Sequence, residues 1–376
     1  MHDPLAALRS PGDPPFDVHV RGTVFHDIVF TGLDHLPEPG TEVWTAGMGS
    51  CPGGIANMAT AASRLGLRTS LAATFSTDAY GEESWRTLAE QEGVDLSASR
   101  RVAGWHSPVT VSLAYAGDRA MVTHGHPAPV PAGAGLHADG CGPAPRSRSC
   151  FVHLSAEPQP WVGTARAGGA LVFADVGWDP SRQWSAEVLS GLAQCHAFLP
   201  NHVEAMHYTR ADTPAAALAR LGDLVPVVVV TRGAAGALAV DATTGETAEV
   251  PGLPVAALDA TGAGDVFGAA FLVADLAGWP LADRLAFADL CAGLSVQQFG
   301  GSLSAPGWGD ITDWWHQVRQ RACGGPAGAA DLARRYAFLD DVVPPAGAPA
   351  VRRATATLAA RSDLPDPPPP PVRAHG

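Results

Sequence analysis

The chain has 376 residues, 46% hydrophobic and 16% charged, enough for one large α/β domain or two smaller ones. All 24 basic residues are arginine, which excludes a P-loop lysine, a protein-kinase strand lysine and a pyridoxal Schiff base. A net charge of −13 offers no broad basic surface to a nucleic-acid backbone, so nucleic acid is not an expected partner.

Residues 1–15 are proline-rich and polar and are expected to be disordered. The alternating stretch Asp17–Gly22 predicts a first strand, with further strands at His26–Phe30 and Glu42–Ala46 around the turn Leu36-Pro37-Glu38-Pro39-Gly40. Ala56–Leu65 predicts a small-residue helix stopped by Gly66. Val109–Ala116 and Arg119–Thr123 predict a hairpin across Gly117-Asp118. Beyond the Pro/Gly/Ala loop 127–149, short apolar strands at Phe151–Leu154, Leu171–Val176, His196–Leu199 and Val227–Thr231 alternate with helices. One of these helices is Pro214–Leu221, with Thr213 as its N-cap. Such alternation marks a parallel sheet covered on both faces. Helices are expected at 264–277 and 281–297, and the Ala/Pro/Arg-rich stretch 321–376 reads as a largely disordered tail with one helix near 328–338 and five prolines at 367–371. The chain opens with no basic region followed by an apolar stretch, and no uncharged apolar run approaches ~18–20 residues, so a cytoplasmic protein without a membrane partner is expected. Cys51, Cys141, Cys150, Cys195, Cys291 and Cys323 form no CxxC pair and read as reduced thiols, Cys291 in the core.

The segment Asp259-Ala260-Thr261-Gly262-Ala263-Gly264-Asp265 opens a long apolar helix. The amides of Gly262, Ala263 and Gly264, with the helix dipole behind them, form a pocket for a phosphate oxygen or a developing negative charge. Asp265 at its edge can take a proton from an attacking hydroxyl. Two other readings compete: a dinucleotide-binding turn, which should follow a strand directly, and a plain tight turn in which Asp265 only caps the helix. The set His196, His202, Glu204 and His207 lacks any standard zinc spacing, and His124 and His126 read as surface residues at the hairpin end.

With these residues in view, the chain resembles the ribokinase-like, or PfkB-type, carbohydrate kinases from about Asp17 to about Trp308. The second family signature is the 259–265 segment; the first is Gly53-Gly54-Ile55-Ala56-Asn57-Met58-Ala59, continuing through Leu65-Gly66 to Asp78-Ala79-Tyr80-Gly81. The resemblance implies a three-layer α/β sandwich, its central sheet mostly parallel, spanning 16–320, with lid strands in about 27–47 and 106–124. Asp27, Gly53, Gly54 and Asn57 would bind the sugar; Asn201, Thr231, Gly233 and Gly236 would bind the nucleotide. Glu204 would help hold Mg²⁺ through water, and Asp259, Thr261 and Ser304 are candidate ligands of a monovalent cation such as K⁺. Asp265 would be the general base and Gly262–Gly264 the anion hole of an ATP-dependent kinase, with a homodimer expected through the lid. Departures from the family pattern include Ile55, Ser76, Ala260, Phe25 and Asp289; the last stands near the nucleotide's base, where many members have asparagine. The acceptor is expected to be a small sugar or sugar acid, or alternatively a nucleoside stacked on Phe25. The alternative of another class is a non-catalytic sugar- or nucleotide-binding regulator.

Overall fold

In the computed structural model, residues 2–115, 118–130, 140–157, 159–179, 181–298, 300–323, 327–345 and 348–353 are described. The strands run β1 (Phe16–Arg21), β2 (Val24–Leu33), β3 (Gly47–Gly54), β4 (Thr69–Ala72), β5 (Thr74–Ser76), β6 (Arg100–Val102), β7 (Val109–Tyr115), β8 (Asp118–His124), β9 (Ser147–Leu154), β10 (Leu171–Val176), β11 (Ala197–Phe198), β12 (Val227–Thr231), β13 (Ala237–Asp241) and β14 (Glu246–Val250). The helices are α1 (Ile55–Arg64), α2 (Ala79–Arg86), α3 (Pro160–Ala167), α4 (His202–Thr209), α5 (Pro214–Gly222), α6 (Ala263–Leu276), α7 (Leu281–Ser295), α8 (Gly301–Ser304), α9 (Trp308–Ala322), α10 (Ala327–Arg335) and α11 (Leu339–Val342).

Period-two alternation in apolar strands builds the central layer. In β12, Val227 and Val229 pack into the cluster formed with α1, α6, α7 and α9, while Val228 and Val230 pack against α3, α4 and α5. Both faces are buried, which is why the strand reads as a continuous valine run. The order is β14-β13-β12-β11-β10-β9-β1-β4, parallel from β4 to β12 with an antiparallel edge at β13 and β14. Chain direction across the sheet reverses between β1 and β9, so the crevice beyond their C-terminal ends is where a ligand is expected.

A second sheet, β3-β2-β7-β8, forms the lid. Here the structure corrects two expectations. The segment 42–46 is not a strand; instead Gly47–Gly54 pairs along β2, from Thr31↔Gly47 to Val24↔Gly54. Backbone pairing decides this strand against its glycine- and proline-rich sequence. The termini are also more ordered than expected. Leu5 is buried, and Arg9 ties Asp3 to Asp17 through Nε–Asp3 Oδ2 at 2.7 Å and Nη2–Asp17 Oδ2 at 2.9 Å. At the other end, Tyr336 and Leu339 enter the core beside Trp315, whose Nε1 donates to Asp340 at 2.9 Å. Isolated apolar residues in a polar stretch gave little signal, yet each fills a place in the main core. The proline run at 367–371 and the hairpin turn at 116–117 lie outside the described residues.

Buried Arg64 positions the loop behind the crevice. Its guanidinium holds Glu92 at 2.8 and 2.7 Å and donates to the carbonyls of Leu303 and Ala305 at 3.1 and 2.6 Å. This joins α1 to α8, beside Asn57. The expected Thr213 cap is present, its hydroxyl accepting from Ala216 N at 3.1 Å, and Cys291 is fully buried.

Candidate active site

A cleft of about 700 Å³ lies beyond the C-terminal ends of β9–β12. Among its lining residues are Asn201, Glu204, Thr231, Gly233, Gly236, Gly262, Ala263, Gly264 and Asp265, so the expected nucleotide and catalytic residues converge on one space.

Gly262 starts α6 at φ 72°, ψ 4°, a left-handed conformation that suits glycine. A Cβ there would also lie 2.5 Å from Gly301 Cα. The Ala263 N–H turns back toward the Ala260 carbonyl at 3.3 Å, so this amide, expected in the anion hole, is partly taken up by the turn. Helix geometry gives the amides of Gly264 and Asp265 no intrahelical acceptor. A Cβ on Gly264 would meet nothing within 4 Å, which leaves that face of the helix start open.

Asp265 lies inside the first turn rather than at the cap position, and its Oδ2 accepts from Asn57 Nδ2 at 3.0 Å. The plain capping reading therefore fails. The dinucleotide reading fails as well, because a stretch without helix or strand separates β14 from α6. Burial pushes the Asp265 carboxyl up, opposed by His153, the Asn57 donor and Arg119.

Asn57 comes from inside α1, not from its cap, which is Gly54 at φ 62°, ψ −132°. Asn57 Oδ1 is buried without a hydrogen-bond partner, an acceptor available to a ligand. Asp27 sits in the middle of the lid, on β2 between Cys51 of β3 and Thr110 of β7. Its carboxyl is pushed up to about 7, first by burial and then by the Asp265 and Asp259 charges, with Arg119 and the Thr110 hydroxyl opposing. Gly53 is required beside it, since a Cβ would lie 1.8 Å from Asp27 Oδ2. The lid reaches the motif loop where Ser112 Oγ meets Thr261 Oγ1 at 3.5 Å.

At the other end of the cleft, Asn201 caps α4, accepting from Val203 N at 2.9 Å and Glu204 N at 3.0 Å, while Glu204 Oε2 accepts from Asn201 N at 3.0 Å. Thr231 ends β12 and bridges to Asn201, and Gly236 adopts φ 85° where a Cβ would strike the Val250 carbonyl at 2.0 Å. Asp259 accepts from Thr261 N at 2.9 Å, Thr261 Oγ1 at 2.7 Å and Gly300 N at 2.9 Å, and Ser304 Oγ donates to the Gly301 carbonyl at 3.3 Å. These residues therefore shape the turn below the motif with their own side chains.

Among the titratable lining residues, sequence reasoning missed three: Arg119 from the lid, His153 at the end of β9 and Asp175 at the end of β10. The Asp175 carboxyl is raised by burial and by Glu204, whose own carboxyl is also raised by burial. Two such carboxylates at one cleft are a donor set that a hard divalent cation would relieve, so the residues fit Mg²⁺. The signal available was position alone, a carboxylate at the C-terminal end of a parallel strand.

The family profile described as pfkB family carbohydrate kinase matches residues 161–308. A fructokinase of Klebsiella pneumoniae is 32% identical over 289 residues, 70% of this chain and 88% of the relative. A nucleoside kinase of Methanothermobacter thermautotrophicus is 29% identical over 298 residues, 77% of this chain and 92% of the relative. In three dimensions, a putative ribokinase II from E. coli, solved with ATP and Mg²⁺, aligns with TM-score 0.66 at 21% identity, covering 80% of this chain and 99% of that one. The chain belongs to the pfkB family of carbohydrate kinases, with a ribokinase-like fold.

Proposed function

We propose that this kinase transfers the γ-phosphoryl group of ATP to a hydroxyl of a small sugar or sugar acid. The observation that carries the reading is Asp265, a half-buried carboxylate held by Asn57 at the amide-lined start of α6. Asp27 and Asn57 hold the acceptor, with Gly53 and Gly54 allowing close approach of its ring. Asp265 takes the proton as the acceptor oxygen forms its bond to phosphorus; the bond to the β-phosphate oxygen breaks, and that charge leaves on ADP. The Gly262 and Gly264 amides face the transferring group, with Ala263 supporting the turn. Asn201, Thr231, Gly233 and Gly236 border the nucleotide phosphates. Glu204 and Asp175 are the residues that would hold Mg²⁺, which when bound neutralises phosphate charge. Arg119 brings a cation to the cleft and extends the acceptor class to sugar acids.

A nucleoside is the second acceptor reading, favoured by Phe25, whose ring lies against Gly54, and by the nucleoside kinase relative. Potassium belongs to the proposal through Asp259, Thr261 and Ser304, and is checked by exchanging K⁺ for Na⁺ in the assay. A homodimer through the lid is supported by its outer face, where Ile28, Phe30, Met48, Val111, Leu113 and Val122 share one side. Among the described residues no helix is long and apolar enough to cross a membrane, which is compatible with a cytoplasmic enzyme.

The test is ADP release with ATP and Mg²⁺ across sugars, sugar acids and nucleosides, comparing wild type with Asp265→Asn. Acceptor-dependent turnover is expected, falling at least ~10²-fold in the variant. An unchanged rate in Asp265→Asn would remove the general-base assignment, and selective turnover of nucleosides would favour the second reading.

A further inference from the structure

Outside the cleft, three imidazoles meet at the base of the lid. His106, His124 and His126 each offer a ring nitrogen, and these nitrogens all lie within 4.8 Å of one another. The register Val109↔His124 places the end of β8 beside the start of β7, bringing the 124–126 segment alongside 106–108. Gly125 permits the approach, because a Cβ there would lie 2.8 Å from Pro108 Cβ. Trp105 Nε1 fixes the outer segment by donating to the His126 carbonyl at 3.1 Å.

We propose that His106, His124 and His126 form a binding site for one divalent first-row transition-metal ion of the zinc type. The ligand chemistry favours such an ion over magnesium or calcium, since imidazole nitrogens suit Zn, Cu, Fe and Ni. Zinc–nitrogen bonds of about 2.0–2.1 Å in a tetrahedron need nitrogens about 3.4 Å apart, a closure that side-chain rotation of the exposed His124 and His126 supplies. His106 has its outer contact in place: Nδ1 lies 3.2 Å from the Ser107 carbonyl, and as a donor there it leaves Nε2 with a lone pair for the metal. Three protein ligands leave a fourth position for water. Ser107 is in turn anchored to the body, its N–H donating to Asp78 Oδ2 at 3.2 Å and its hydroxyl 2.7 Å from Ser76 Oγ. An ion bound here ties the outer lid strand to that anchored segment.

The untagged full chain, stripped with a chelator, is titrated with Co²⁺ and followed by its visible ligand-field bands, then with Zn²⁺ in competition with a chromophoric chelator. One equivalent giving four-coordinate cobalt bands is expected. His126→Ala and His106→Ala should each weaken binding by at least the ~10–100-fold that even an outer-shell substitution costs. His35→Gln, at an exposed histidine outside the cluster, should change nothing. No saturating band, or equal affinity in wild type and both alanine variants, overturns the site, as does an equal loss in His35→Gln.

Discussion

Replacing Asn57 with leucine keeps the branched outline of the side chain, at a larger volume, and removes the donor 3.0 Å from Asp265 Oδ2. That donor stabilises the ionised carboxylate against the burial that pushes its pKa up. A hydrogen bond to a charged group contributes about 1.5–3 kcal/mol, and 1.36 kcal/mol corresponds to one pKa unit. Losing it should therefore push the Asp265 carboxyl further up, His153 and Arg119 remaining in place. A general base works deprotonated, so the acid limb of kcat at saturating acceptor and ATP should move to higher pH, with kcat on that limb lowered about tenfold or more. Activity would be lost at acid pH and largely regained at alkaline pH. In the proposed function Asn57 also holds the acceptor, so KM is expected to rise at every pH; the position of the kcat limb is the informative readout. A kcat lowered equally at all pH values, with the limb unmoved, would refute the link between Asn57 and the ionisation of Asp265.

Gly53→Ala would force a Cβ to within 1.8 Å of Asp27 Oδ2, on a strand fixed by β2. About 1–3 kcal/mol of stability should be lost to overpacking, with acceptor affinity falling and nucleotide affinity kept, as thermal melting and calorimetry would report. Gly264→Ala is the contrast: with no atom within 4 Å of the new Cβ, its stability should be unchanged or up to ~1 kcal/mol higher. Burial lifts the Asp289 carboxyl from 3.8 to about 6, opposed by the Leu253 backbone amide and Arg335, so the folded chain binds this proton more tightly than the unfolded one. Its contribution to stability is present at low pH and lost as pH rises through the folded pKa, by up to about 3 kcal/mol. Asp289→Asn stays neutral, so its melting temperature should match wild type near pH 4 and exceed it near pH 8; a pH-independent difference would refute this account.

The sequence by itself determined the parallel core and the placement of the motif at a helix start. The valine run of β12, the Pro214 helix start with its Thr213 cap, and the glycine-opened α6 carry signals that are local and survive tertiary packing. Asp265, Gly262 and Gly264 were legible as a group because a carboxylate next to helix-start amides is a short-range arrangement. Tertiary structure decided the rest. Gly47–Gly54 is a strand only because β2 supplies its partner, and Asn57 is a partner of Asp265 only because α1 and α6 pack side by side, across 208 residues of chain. Arg119, His153 and Asp175 reach the cleft from three separate strands, and no local pattern marks them. The same holds for His106, which joins His124 and His126 only through the pairing of β7 with β8. Leu5, Tyr336 and Leu339 belong to the core because cavities elsewhere in the fold accept them, a property of the assembled layers and not of their own segments.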